Sequence, residues 1–213
     1  MSATRRHWAL AAAAFTLLLL LGGATQTDGV IGVDRWVERA GALRAGAGHD
    51  AAITVWQAIS WSGGGAQRYV IVGLLAGLLG AWHHWRSGVV LVATSLLSFM
   101  TSEALKTAFA RARPDVVPHL DTVHSLSFPS GHATSAAVLY LLFAMLVPTQ
   151  RRALWLTAAT VLICLTGWSR VALGVHWPSD VIGGWLLGGA FALIGYAAAQ
   201  YFEGRAWQAG QPE

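Results

Sequence analysis

The stretch Gly88–Pro114, GVVLVATSLLSFMTSEALKTAFARARP, decides how the chain is read. Its first part is apolar and long enough to cross a bilayer, which takes about 20 residues in a helix. Toward its end it acquires Ser98, Thr101, Ser102 and Glu103, and then Lys106, the only lysine in the protein. An apolar helix that ends in charge is the outline of a membrane span carrying part of a polar site.

Composition agrees with a membrane protein. Hydrophobic residues make up 55% of the 213 residues and charged residues 11%, against roughly 25% charged in a soluble domain. Mean hydropathy is +0.52 and the sequence pI is about 9.8. The basic pI does not point to nucleic acid, because the cations stand singly or in pairs and form no tract or stripe. The single Cys164 lies in an apolar run and permits no intrachain disulfide.

The pattern predicts an all-α fold, a six-span membrane bundle in one domain covering 1–213. Spans are expected at about 8–24, 68–82, 88–109, 132–147, 153–168 and 178–199. Arg5 and Arg6 ahead of the first run fit a signal peptide as well as a spanning helix. A retained helix gives the even count that places the site-bearing loops on one side. Residues 25–67 read as mixed. Within them, His49–Trp61 puts Ile53, Trp56 and Ile59 at helical spacing, as in an amphipathic helix lying in the interface between the first and second spans. From Gly204 the chain reads as a short polar tail. His83-His84 lack further ligands nearby and read as interfacial residues, not a metal site. The last span is rich in glycine, at 183, 184, 188, 189 and 195, which permits close helix packing.

With both termini inside, the inner flanks carry Arg5, Arg6, Arg86, Arg151, Arg152 and Arg205. The outer side carries Arg35, Arg39, Arg44, Arg68, Arg111 and the site candidates Lys106, Arg113 and Arg170. The raw count opposes the positive-inside rule. Setting the site candidates aside leaves it nearly neutral, and the Arg5-Arg6 and Arg151-Arg152 pairs favour termini inside.

Three polar islands fall at span ends on that outer side. Lys106 and Arg113 offer a point charge and a planar fork to phosphate oxygens, although each, taken alone, also suits an interfacial anchor. Seven residues apart, the two can share one helix face if the helix runs that far, although Pro114 biases Arg113 away from helix and ends it. Pro129-Ser130-Gly131-His132 opens the fourth span. Ser130 is placed as an N-cap, and the free N–H groups of a helix start attract anions. An ordinary capped helix with a satisfied histidine fits equally. Arg170, His176 and Asp180 form the third island. Asp180 lies one turn beyond His176, close enough to fix its tautomer and to raise the basicity of the other nitrogen. Glu103 reads as a helix-lining residue, and His119 and His124 as surface residues of the 111–128 loop.

Lys106–x6–Arg113-Pro114, Pro129-Ser-Gly-His132 and Ser169-Arg170–x5–His176–x3–Asp180 resemble, in order and without substitution, the three signature motifs of the type 2 phosphatidic acid phosphatase (PAP2) family. The resemblance implies that His176 is a nucleophile forming a phosphohistidine, that Asp180 orients it, and that His132 protonates the leaving oxygen. Lys106, Arg113 and Arg170 would hold the phosphoryl oxygens, with Ser130 and the Gly131 backbone. No metal or cofactor is implied. The substrate would be a lipid phosphate or diphosphate: phosphatidic acid, phosphatidylglycerol phosphate and undecaprenyl diphosphate stay open. The expected location is a bacterial inner membrane with the site facing the periplasm or outside, membrane lipids and substrate being the only partners foreseen and nucleic acid excluded. A non-catalytic lipid-binding protein on this scaffold and a vanadate-dependent haloperoxidase-like enzyme are the alternatives, the latter opposed by the apolar spans.

Overall fold

The computed structural model describes residues 3–46 and 48–209, with side chains over 4–46 and 48–202. The described residues form helices without strands: α1 (Ala3–Ala24), α2 (Asp28–Gly41), α3 (Asp50–Trp61), α4 (Gln67–Ala81) and α5 (Trp85–Phe109), then α6 (Gly131–Leu146), α7 (Arg152–Ala172) and α8 (Pro178–Ala209). Helix α6 contains a π-helical turn at Ala137–Leu141. Helices α1, α5, α7 and α8 are long and apolar enough to cross a membrane, whereas α4 and α6 are apolar but shorter. The 15 residues of α4 span about 22 Å at 1.5 Å per residue, less than a hydrocarbon core of about 30 Å. The polar tail expected from Gly204 instead prolongs α8 to Ala209, and residues 210–213 lie outside the described ones.

Helix α8 is the hub. It packs against α1, α5, α6 and α7, while α4 pairs with α5 and α3 with α7. Glycine allows the closest of these contacts. A Cβ at Gly184 would stand 2.6 Å from the Ser130 carbonyl, and one at Gly188 2.5 Å from that of Thr134, so only hydrogen fits between α8 and α6. Gly189 has open space around it; of the glycines expected to pack, it does not. One apolar core joins Leu79, Leu91, Leu139, Leu142 and Phe143. A second, near the site, joins Leu18, Phe128 and Leu187.

Helix α3 forms where amphipathic spacing places it, but α2 occupies residues where no element is expected. The reason is its reversed face. Asp34 and Glu38 point inward and are buried, while Val33 is 61% and Trp36 71% exposed. Charged and apolar residues do alternate there at helical spacing, but Asp34 and Glu38, not Val33 and Trp36, turn inward. The structure keeps α2 against the bundle through the Leu43 N–H bond to the Ala172 carbonyl and through Asp34.

Candidate active site

The ends of α5, α6, α7 and α8 converge on one side of the bundle, joined by the 110–130 loop and covered by α2 and α3. Helix α5 stops at Phe109, with Ala110 in the left-handed region at φ 47°. Lys106 therefore projects from the last helical turn and Arg113 reaches the same place from the loop, so the two do not share a helix face. Both line a cavity of about 300 Å³ with Arg68, Gly131, His132, Arg170 and His176. Every candidate site residue other than Ser130 and Asp180 lines this cavity; Ser130 adjoins Gly131 in the chain and Asp180 contacts His176.

His176 sits between α7 and α8. Helix α7 ends in a turn closed at Gly174, whose φ of +69° suits glycine at this position. The turn directs the N–H groups of Val175 and His176 onto the Arg170 carbonyl, at 3.1 and 3.2 Å. The imidazole itself is buried. Its Nδ1 faces Asp180 Oδ2 at 3.4 Å and Ser127 Oγ at 3.4 Å, and its Nε2 faces Arg113 Nη1 at 3.1 Å. Arg113 has only donors. Its N–H therefore donates to a lone pair on Nε2, and the proton resides on Nδ1. Burial, and then the cations Arg113, Arg170 and Lys106, hold the His176 pKa well below the usual histidine value.

Asp180 is the third residue of α8, after Pro178 in the first helical position. Its Oδ2 accepts from the Trp177 N–H at 2.9 Å and from Ser127 Oγ at 2.5 Å, a carboxylate at N3 reaching back to the cap residue. Its Oδ1 accepts from Arg111 Nη1 at 2.5 Å. The expected His176–Asp180 pairing is present, but at 3.4 Å it is looser than the bonds Asp180 makes to Ser127 and Arg111.

The cations are unequally matched. Lys106 Nζ pairs with Glu103 at 2.7 Å and donates to Ser125 Oγ at 3.1 Å; Glu103 is thus an ion-pair partner and not simply a helix-lining residue. Arg170 is fully buried. Its Nη1 meets Ser60 Oγ and, at 2.6 Å, Asp121 Oδ2, while its Nε and Nη2 have no partner. Arg113 donates to the carbonyls of Ser125 and Val175 and pairs with no carboxylate among the described residues; burial, then Arg170, lowers its pKa to about 10, so it remains charged at neutral pH. Ser130 occupies the N-cap position of α6 but makes no side-chain capping bond; instead its N–H donates to the Asp180 carbonyl at 2.9 Å, and its buried hydroxyl is unpartnered. Gly131 brings backbone beside Lys106, whose Nζ would lie 3.5 Å from a Cβ there. His119 bonds the Pro114 carbonyl at 2.8 Å, and His124 is an exposed residue at the cavity rim.

Several contributors escape a reading of the sequence. In sequence Arg111 reads as a topology signal, yet it is buried and bridges Asp34 and Asp180. Ser127, Ser125 and Asp121 lie in a loop without periodicity. Gly64, in the break after α3, touches His132: a Cβ on Gly64 would fall 2.0 Å from the His132 Nε2. Gly64→Ala is therefore expected to displace the imidazole and to lower kcat by roughly tenfold to a hundredfold while the protein stays folded, because the clash falls on a movable ring. Steady-state kinetics alongside thermal unfolding check this.

Residues 87–203 match the family model described as PAP2 superfamily, and the chain belongs to that family. Lipid A 1-phosphatase of Rhizobium etli is 36% identical over 116 residues, covering 50% of this chain and 48% of that protein; the chain spans about half the length of that relative. Phosphatidylglycerophosphatase B of Bacillus subtilis is 30% identical over 182 residues, covering 82% of this chain and 87% of that protein. The crystal structure of the transmembrane PAP2-type phosphatidylglycerolphosphate phosphatase from Bacillus subtilis superposes with a TM-score of 0.80 at 26% identity, covering 92% of this chain and 96% of that one. The chain is an integral membrane protein of helical architecture.

Proposed function

We propose that this protein hydrolyses a lipid phosphate or diphosphate through a phosphohistidine on His176. The observation that carries the reading is a set of buried donors without partners among the described residues, Arg170 Nε and Nη2 and the Ser130 hydroxyl, close to a cation-lined cavity that His176 also lines. Buried polar groups are rarely left unpaired, and a phosphoryl group supplies acceptors for all of them. Four cations line the cavity: Arg68, Lys106, Arg113 and Arg170. Among the described residues, carboxylates answer two of them, Glu103 for Lys106 and Asp121 for Arg170.

In this reading Arg113 releases His176 Nε2 and turns its N–H groups to the incoming phosphoryl oxygens. Nε2 attacks phosphorus as the P–O bond breaks, an ester bond in a monophosphate or an anhydride bond in a diphosphate, and protonated His132 gives its proton to the departing oxygen. Water then attacks the phosphohistidine, His132 takes the water proton, and the N–P bond breaks to release phosphate. The fixed cations stabilise the charge that spreads over the equatorial oxygens in both steps.

A lipid substrate suits the surroundings. A groove of about 180 Å³ between α4 and α5, lined by Val72, Gly73, Val92 and Leu96, shares Arg68 and Phe99 with the polar cavity. A head group in the cavity can lay its tail there. We read α4 and α6 as the remaining two of six crossings, their short apolar lengths extended by flanking residues. Helix α3 then lies in the interface, and the site faces the outer side of a bacterial inner membrane. Purified protein is expected to release phosphate from a panel of lipid phosphates, phosphatidic acid, phosphatidylglycerol phosphate and undecaprenyl diphosphate among them, at an unchanged rate in EDTA. Silence across the whole panel overturns the reading in favour of a lipid-binding role.

A further inference from the structure

We infer that Asp34 and Arg111, outside the signature motifs, are positioning residues for the reaction: α2 closes a charge clamp behind Asp180 that holds the carboxylate in the orientation His176 needs. The inference rests on the reading of His176 as the nucleophile.

The clamp is continuous. Arg111 donates through Nη2 to Asp34 Oδ2 at 2.7 Å, and through Nη1 to Asp180 Oδ1 at 2.5 Å and to Ser179 Oγ at 2.7 Å. Asp34 accepts the Ser179 N–H on Oδ1 at 3.0 Å and the Ser179 hydroxyl on Oδ2 at 2.6 Å. One carboxylate from α2 thus satisfies an unbonded N–H in the first turn of α8 and also fixes the guanidinium that grips Asp180. All four residues are buried. Asp34 and Asp180 give one guanidinium two carboxylates, a geometry that a planar fork meets and an ammonium does not. With Oδ1 held by Arg111, Asp180 can present only Oδ2 toward Ser127, Trp177 and His176.

Neither Asp34 nor Arg111 lines the phosphate cavity, so their loss acts through Asp180 and not on substrate contacts. This predicts a separation that loosened packing does not produce. Asp34→Asn keeps the shape and removes a negative charge; the imidazolium developing on His176 is then less supported, and the acid limb of kcat/KM moves to lower pH. Arg111→Gln removes a positive charge, and the limb moves to higher pH. The other charged groups facing His176 and the clamp are unchanged in both: Lys106 from α5, Arg113, Asp115 and Asp121 from the loop, His132 from α6 and Arg170 from α7. Glu38 of α2, pushed up to about 7 by burial and then by Asp115, Asp34 and Asp180, is the other titratable group that α2 turns inward.

The experiment measures kcat, KM and the pH profile of kcat/KM for D34N and R111Q, with thermal unfolding in detergent as a control for folding. Expected are a kcat lower by roughly tenfold to a hundredfold, a KM within about twofold because the phosphate contacts remain, and limbs displaced in opposite directions by roughly one pH unit. Should R111Q fail to accumulate as folded protein, R111K replaces it. R111K keeps the charge but cannot bridge, so it is expected to lose kcat with its limb at the wild-type pH. A D34N enzyme with wild-type kcat and limb overturns the inference, as do limbs that move in the same direction. If His176→Ala retains activity, the catalytic reading itself has failed; if it is inactive while D34N matches wild type, only the clamp has.

Discussion

His176→Ala is expected to lower kcat/KM by about four orders of magnitude or more, the scale seen when a nucleophile is removed from an assembly that acts as a unit. The fold should survive. Each partner of the imidazole keeps other bonds: Asp180 retains Arg111, Ser127 and the Trp177 N–H, and Arg113 retains the carbonyls of Ser125 and Val175. An unchanged unfolding temperature with abolished phosphate release, and no acid-labile phosphoenzyme, is the predicted pattern. The wild-type pH profile carries the same claim. Only neutral imidazole has the attacking lone pair. Burial first, then Arg113, Arg170 and Lys106, disfavour its protonated form, which depresses the pKa. Activity should therefore persist as pH falls past the ordinary histidine value of about 6.5, and disappear only as pH passes through the depressed one. An acid limb at or above that ordinary value contradicts the assignment.

Legibility in the sequence followed the physical signals available. The long apolar runs of α1, α5, α7 and α8 reach bilayer length and are legible as helices, although α8 runs ten residues past the expected end at 199. Motif spacing was equally plain, and Lys106, Arg113, His132, Arg170 and His176 do line one cavity. What was hidden has a common cause. Arg111 stands two residues before Arg113 in an Arg-Ala-Arg run, and nothing in the sequence separates a buried bridge from an interfacial anchor. Asp34 and Glu38 face inward from α2 while Val33 and Trp36 face outward, so the amphipathic spacing of that helix points to the wrong buried face. Ser127 and Asp121 act from a loop whose path is set by contacts distant in sequence, such as the Leu120 N–H on the Leu173 carbonyl and the Ser127 N–H on the Arg111 carbonyl. Local patterns report burial of apolar surface; a carboxylate that turns inward to meet a guanidinium leaves no such trace.

Arg170→Lys should have the second largest effect, a loss of kcat/KM of about a thousandfold, within the range for removing an arginine that stabilises a transferring phosphoryl group. The argument lies in how the guanidinium is divided. One nitrogen is committed to Ser60 and Asp121; Nε and Nη2 are buried and unpartnered. A lysine can keep the pairing with Asp121 but cannot also present two coplanar N–H groups to phosphoryl oxygens. The His176 backbone is not disturbed, because its N–H bonds the carbonyl of residue 170 whatever the side chain. A structural role for Arg170 makes a different forecast. If the residue merely anchors the loop through Asp121, then Asp121→Asn and Arg170→Lys should cost similar amounts. If it holds phosphate, Arg170→Lys should cost far more than Asp121→Asn. Inorganic phosphate should then raise the unfolding temperature of the wild type and of Asp121→Asn, with little effect on Arg170→Lys. Equal kinetic losses in the two variants, with phosphate protection intact in Arg170→Lys, would remove Arg170 from the phosphate cage and leave Lys106 and Arg113 to carry it.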